Sequence, residues 1–298
     1  MKHVVGISLG SSKRDHAVTI NLLGQECRVE RIGTDGDFEK LSDYIARMDG
    51  KVDAFGLGGI DLYVFSLHRR YVIRDAARLV KAAKRTPVVD GSGLKNVLER
   101  RAIKYLAEHT DLLKPNLRVL VMSAMDRFGM SQALEELGLK VMYGDWAFLV
   151  GLPGRFKSLR QVAFAASILA PIIVRLPFHL IYPTGEKQSE NRPRYEKYFY
   201  EADLIAGDFH FIHRFIPPEL PGRIVITNTV TQDDIQFLRE RKIKTLVTTT
   251  PEMEGRSFGT NVIEALMVAL SGNNRELTAE EYDQMITKLD FKPRIVNL

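Results

Sequence analysis

The chain has 298 residues, 45% of them apolar, enough to build the cores of two ordinary domains or one large α/β domain, which excludes a disordered chain. Lys and Arg total 42 against 37 Asp and Glu, a formal charge of +5 with the signs interspersed, so nucleic acid is not an expected partner. The single Cys27 excludes an intrachain disulfide and a thiolate cluster for zinc, and it points to a reducing cytoplasm.

The first third reads as short β-branched runs. HVVGISL, HAVTINLL and CRVERIG, separated by GSSKRD and GQE, predict a strand, its hairpin partner and a third strand. In DFEKLSDYIARM, Phe38, Leu41, Ile45 and Met48 share one helical face, and VDAFGLGGI returns as a buried strand. The hairpin LYVFSLHRRYVI, the helix DAARLVKAAKR, the strand in TPVVDGSG and the helix LKNVLERRAIKYLAEH complete a mixed α/β domain expected over residues 1–114. Pro115, in TDLLKPNLR, marks the expected boundary.

Beyond it strands and helices alternate, which predicts a Rossmann-like parallel sheet with a C-terminal helix over residues 115–298. RVLVMS, MSQALEELG and KVMYGD form one unit; DLIAGD, RIVITNT, TQDDIQFLRERK, TLVTTT and GTNVIEALMVALSG continue it. Val162 to Val174, VAFAASILAPIIV, is apolar apart from Ser167 and shorter than the roughly 18 to 20 residues that span a bilayer. It reads as a buried helix; a surface for a partner subunit or a membrane interface is the other reading. Thr278 and Glu281 form a capping box for the helix TAEEYDQMITKL.

Ligands of parallel sheets gather beyond the carboxyl ends of the strands, so the strand-end loops are the candidate sites. In DGSGLKN, Gly91, Ser92 and Gly93 let backbone approach a substrate while Lys95 adds charge; in GSSK, Ser11, Ser12 and Lys13 offer hydroxyls and a cation. SAMDRFGMSQA stands where a dinucleotide loop would, with Ser123, Arg127 and Gly129 as cofactor contacts. Asp145 takes the place of a ribose-binding acid, and Thr227 and Asn228 stand at a further strand end, although the G-x-G-x-x-G pattern is absent. Asp208, His210 and His213 follow another strand, either as an imidazole acid–base group steadied by Asp208 or as metal ligands; no metal is expected. TGEKQ presents Glu186 and Lys187, and TTTPEMEGRSFGTN adds Glu252, Glu254 and Arg256.

Taken together, ISLGSSKRDH, RIGTDGDFEKL, VDAFGLGGIDLY, VVDGSGLKN, YPTGEKQ, AGDFHFI and TTTPEMEGRSFGTN resemble, over nearly the whole chain, a bacterial family labelled quinate 5-dehydrogenase. The resemblance implies NAD or NADP and oxidation of the C5 hydroxyl of a cyclic hydroxy acid. The better-known shikimate and quinate dehydrogenases bind the carboxylate with paired serines and set a Lys and Asp pair at the hydroxyl. Here Ser11 and Ser12 are adjacent rather than alternating and the cofactor glycines are missing, so no catalytic residue transfers from those motifs. ISLGSS is also similar to the opening strand of the sugar kinase, Hsp70 and actin superfamily, with Ser8 where a metal-associated Asp would stand.

The expected function is an NAD(P)-dependent oxidoreductase of a small quinate- or shikimate-like hydroxylated acid. Lys95 or Lys187 would polarise the hydroxyl, and Asp208 or His210 would take the proton. A non-redox nucleotide- or phosphate-binding enzyme and a ligand sensor without turnover are the alternatives. The expected partners are a small-molecule substrate and, as an open alternative, a second copy of the chain; neither nucleic acid nor a membrane is expected.

Overall fold

Lys2–Ser8 (β1) carries HVVGIS, apolar on both sides of its pleat, and it lies at the centre of a five-stranded sheet. The computed structural model describes residues 1–66, 69–177, 190–253 and 256–298, the side chains of 65–66, 69, 252–253 and 256–257 excepted. After β1 come β2 (His16–Leu22), β3 (Gln25–Gly33), α1 (Phe38–Met48), β4 (Ala54–Gly58), β5 (Tyr63–Ser66), β6 (Arg69–Val72), α2 (Arg74–Val80), β7 (Val88–Val89) and α3 (Ser92–His109). The sheet order is β2-β3-β1-β4-β7.

The predicted hairpin exists, but between β2 and β3, which turn at Leu23 and Gly24, both with positive φ. β1 pairs in parallel with β3 and β4, so β2 is at the edge and is not the partner of β1. The physical reason is burial. Val4, Val5 and Ile7 are fully buried, whereas β2 buries only Ile20.

The second half contains β8 (Arg118–Val121), α4 (Phe128–Glu136), β9 (Lys140–Tyr143), a π-turn at Trp146–Val150, α5 (Leu159–Ile173), α6 (Glu196–Glu201), β10 (Leu204–Ala206) and α7 (Phe209–Phe215). Then follow β11 (Ile224–Thr227), α8 (Gln232–Glu240), β12 (Thr245–Thr248), the short pair β13 (Glu252–Met253) and β14 (Arg256–Ser257), α9 (Thr260–Ser271), α10 (Ala279–Lys288) and β15 (Arg294–Asn297). The sheet order is β15-β12-β11-β10-β8-β9, parallel throughout except for β15, which runs antiparallel to β12. The fold is thus α/β, an N-terminal mixed sheet followed by a mostly parallel Rossmann-like sheet.

Each sheet is covered on both faces. In the first, Val5, Ile7, Phe55 and Leu57 pack on α1 and α2, while Val4, Ala54 and Val89 pack on α3, α9 and α10. In the second, Leu120, Ile205, Val225 and Leu246 meet α6, α7 and α8, and Val119, Val121, Leu204 and Val247 meet α3, α4 and α5. Helix α3 therefore serves both sheets, Leu94 and Leu98 at one end and Ile103 and Leu106 at the other.

The glycines of GLGG and DGSG serve this packing. A Cβ at Gly56 would stand 2.5 Å from the carbonyl oxygen of Asn261 at the start of α9, and one at Gly91, where φ is +92, would stand 2.8 Å from the Asn261 nitrogen. Helix α5 departs from expectation: its inner face is buried, but Phe164, Ile168 and Ile172 face solvent.

Candidate functional site

β8 and β10 are neighbours, yet the chain leaves β8 for β9 on one side and returns to β10 on the other. Doubly wound sheets hold ligands beyond the carboxyl ends of such a strand pair, where the two connecting loops diverge. Asp126 and Arg127 follow β8, and Asp208 follows β10. Helix α3 passes by with Lys95 and Glu99 one turn apart on the same side.

These five side chains form one ionic network. Lys95 Nζ is 2.7 Å from Asp126 Oδ1, Arg127 Nε is 3.0 Å from Asp126 Oδ2, and Arg127 Nη2 is 2.5 Å from Asp208 Oδ2. Arg127 Nη1 donates to Glu99 Oε1. Asn228, after β11, donates from Nδ2 to Asp208 Oδ2 at 2.9 Å and accepts at Oδ1 from the Phe209 N–H and the Thr227 hydroxyl. The His210 N–H donates to Asp208 Oδ1 at 2.8 Å, and His210 itself is exposed.

Exposure rises across the network from Glu99 (1%) and Arg127 (3%) through Lys95 (14%) and Asp208 (16%) to Asp126 (29%), so it opens to solvent at Asp126. Burial opposes the charge on Asp126, yet Lys95 and Arg127 hold its carboxyl far below the usual range. Burial likewise opposes the Lys95 ammonium, and Asp126 pushes its pKa above the usual lysine value. Asp208 is held low against its burial by Arg127 and His210, whereas Glu99 is pushed up by burial despite Arg127. At neutral pH Lys95 is a fixed donor, and Asp126 and Asp208 are fixed acceptors. Three carboxylates face two cations, so Arg127 has no free edge for a phosphate.

The network gathers Lys95, Arg127, Asp208, His210, Thr227 and Asn228 from the sequence-based candidates. The other cofactor candidates turn inward. Ser123 is fully buried, and Asp145 is 1% exposed with Oδ1 accepting the Met125 N–H at 2.8 Å. Burial raises the Asp145 carboxyl to about 6, partly offset by the backbone N–H groups it receives. Gly129 lies against Asn96 of α3, whose Oδ1 accepts its N–H.

The other helix starts at this end are also occupied. The Asp234 N–H of α8 goes to Thr231 Oγ1, and the start of α9 is packed under Gly56 and Gly91. Among the described residues, the N–H groups at these strand-end helix starts are thus spent on partners within the fold.

The groups of the expected substrate loops are likewise engaged within the fold. Ser92 is 3% exposed and donates its hydroxyl to Asp90 Oδ1, and a Cβ on Gly93 would strike the Glu264 and Glu276 carboxylates. Gly91, Ser92 and Gly93 are therefore packing residues between α3, α9 and α10. In the loop after β1, Ser11 Oγ accepts the Lys13 N–H and the Ser12 N–H goes to Asp35 Oδ1 in the β3–α1 connection, so these groups are spent within the fold. Lys13 stands exposed.

Lys187, Glu186 and Glu254 lie outside the described residues, as do the side chains of Glu252 and Arg256. His213 stacks on Phe237 with ring centroids 4.1 Å apart, and no group of three or more His, Cys, Asp or Glu among the described residues is placed to hold a metal. Two surface depressions, one beside Lys2, Gln25 and Asp53 and one beside Leu23, Leu270 and Met285, lie away from the network. Sequence reasoning missed Asp126 and Glu99. The only signals were the acid beside Arg127 and the Lys95–Glu99 spacing, both of which read as ordinary solvated charge.

A family described as "Domain of unknown function (DUF8754)" matches residues 93–298. The chain belongs to this family. A second description, "Domain of unknown function (DUF8753)", matches residues 3–90, so the DUF8754 match begins at the first turn of α3 and includes every residue of the ionic network. No curated protein matches the chain.

Among solved structures, similarity extends to a hetero-hexameric glutamate dehydrogenase from Thermus thermophilus (12% identity, TM-score 0.43, 97% of this chain and 73% of that one). It extends also to an ABC transporter solute-binding protein from Burkholderia multivorans (12%, 0.38, 99% and 99%) and an NAD-dependent malic enzyme from Thermotoga maritima (12%, 0.35, 97% and 84%). Similarity at this level says nothing about the ligand of the DUF8754 chain.

Proposed function

We propose that the solvent-facing edge of the ionic network, at Asp126 between the β8 and β10 loops, binds a small polyhydroxylated molecule, neutral or cationic. The observation that supports this reading is the ion pairing of Lys95 with Asp126 at 2.7 Å and of Arg127 with Asp208 at 2.5 Å, which favours the charged form of each group. Such groups make strong charge-assisted hydrogen bonds to hydroxyls but are poor at moving protons near pH 7. Lys95 has two further N–H donors beyond the one given to Asp126, and the exposed edge of Asp126 accepts from a ligand hydroxyl. The excess of carboxylate repels an anionic ligand.

The second reading is an NAD(P)-dependent oxidoreductase of a quinate- or shikimate-like acid. It is favoured by the Lys95–Asp126 pair at 2.7 Å, the residue types that the resemblance sets at a reacting hydroxyl.

Thermal denaturation with myo-inositol, quinate, shikimate, NADH and NADPH separates the two readings. A rise in Tm with inositol that is lost in Asp208→Asn and in Lys95→Met is expected, since a ligand of the folded state stabilises it. A rise with NADH or NADPH, together with loss of nicotinamide absorbance on substrate addition, would replace the first reading by the second.

A further inference from the structure

Helix α5 is apolar on nearly every side, a pattern proper to a helix that is covered all round. Its inner face, with Leu159, Val162, Ala166 and Ala170, is buried. On the outer face Phe164, Ile168 and Ile172 form an i, i+4, i+8 stripe that is 69, 54 and 58% exposed, and Leu176 continues it. Lys157 and Arg160 stand at one end of the stripe and Arg175 at the other. All three are exposed and without an ionic partner among the described residues. Between Asp145 and Glu186 the sequence holds no carboxylate at all.

We propose that this face docks on an anionic lipid surface. The stripe enters the boundary of the acyl chains while Lys157, Arg160 and Arg175 meet the headgroup phosphates. The helix lies on the surface rather than through it, since no helix among the described residues is long and apolar enough to cross a membrane. The charge pattern decides against a second copy as occupant. Antiparallel pairing about Ile168 would set Arg160 and Arg175 of opposite helices together at each end, with no carboxylate on either helix to separate them.

Co-sedimentation of the full chain with phosphatidylcholine vesicles, with and without phosphatidylserine, tests the proposal. Binding is expected with the phosphatidylserine vesicles, weakened by added salt and several-fold lower on pure phosphatidylcholine. Arg160→Gln with Arg175→Gln should weaken it roughly fivefold per cation removed. Phe164→Ser with Ile168→Ser should abolish it while leaving Tm unchanged, because both side chains already face water. Equal binding to both vesicles, or to neither, overturns the proposal. So does a dimer in sedimentation velocity that Ile168→Ser converts to monomer, which would assign the face to a second copy.

Discussion

Two groups of buried acids lie along α3, and they behave oppositely. Near its middle, Asp126 and Asp208 share Lys95 and Arg127 and are held ionised despite burial. At its start, Glu264 of α9 is fully buried beside Asp90 and Glu276, accepts the Tyr282 hydroxyl at Oε1, and has no partner at Oε2. Burial first, then Asp90, pushes this carboxyl to about 8. The Arg70 guanidinium pairs with Glu276. Burial alone would neutralise every one of these acids; an adjacent cation reverses the outcome.

The largest test of that contrast removes the cation. Arg127→Met leaves Glu99, Asp126 and Asp208 to share Lys95, and breaking a buried ion pair from one side costs about 3 to 5 kcal/mol. Urea denaturation should show a loss of that size at pH 7, and a change within error would mean that solvent enters the network.

Next in size is the pH response of Glu264. A carboxyl raised from 4.5 to about 8 in the fold contributes its full stability below pH 4.5 and loses it as the pH rises through that window to about 8. Glu264→Gln should flatten this decline and be the more stable protein at pH 8, by on the order of 3 kcal/mol. Parallel pH profiles of wild type and variant would refute the assignment of a neutral Glu264.

The smallest effect belongs to Arg70→Ala. A half-exposed pair is worth about 0 to 1 kcal/mol, so Tm should scarcely move. The freed Glu276 carboxylate should nevertheless shift the alkaline limb of the Glu264 profile upward, which pH titration of stability would detect.

Much of the fold was legible because its signals are local. The alternating and continuous apolar runs mark β1, β4, β8 and β12, and the Thr278–Glu281 capping box opens α10 as read. The strand β15 escaped notice because RIVN is short, half exposed and paired on one side only. The candidate site was legible in part. Lys95, Arg127 and Asp208 sit at strand ends or helix starts, where chemistry is sought, and Glu99 does not. Within LKNVLERRAIKYL it looks like a solvated charge, and it is buried only because α3 has a sheet on either side. The glycine loops misled for the same reason: close backbone approach to α9 and close approach to a ligand call for the same residue.

The first sheet borrows its second cover. Val4, Ala54 and Val89 are closed by Val262, Leu266 and Tyr282, whose codons come some 170 residues after those of β7. During vectorial synthesis the opening half therefore emerges with one face of its sheet covered only by the start of α3, through Leu94 and Leu98, and waits for α9 and α10. A chain halted anywhere before Thr260 presents that apolar face to chaperones and to other nascent chains, so degradation of truncated products, rather than their partial activity, is the consequence built into this architecture.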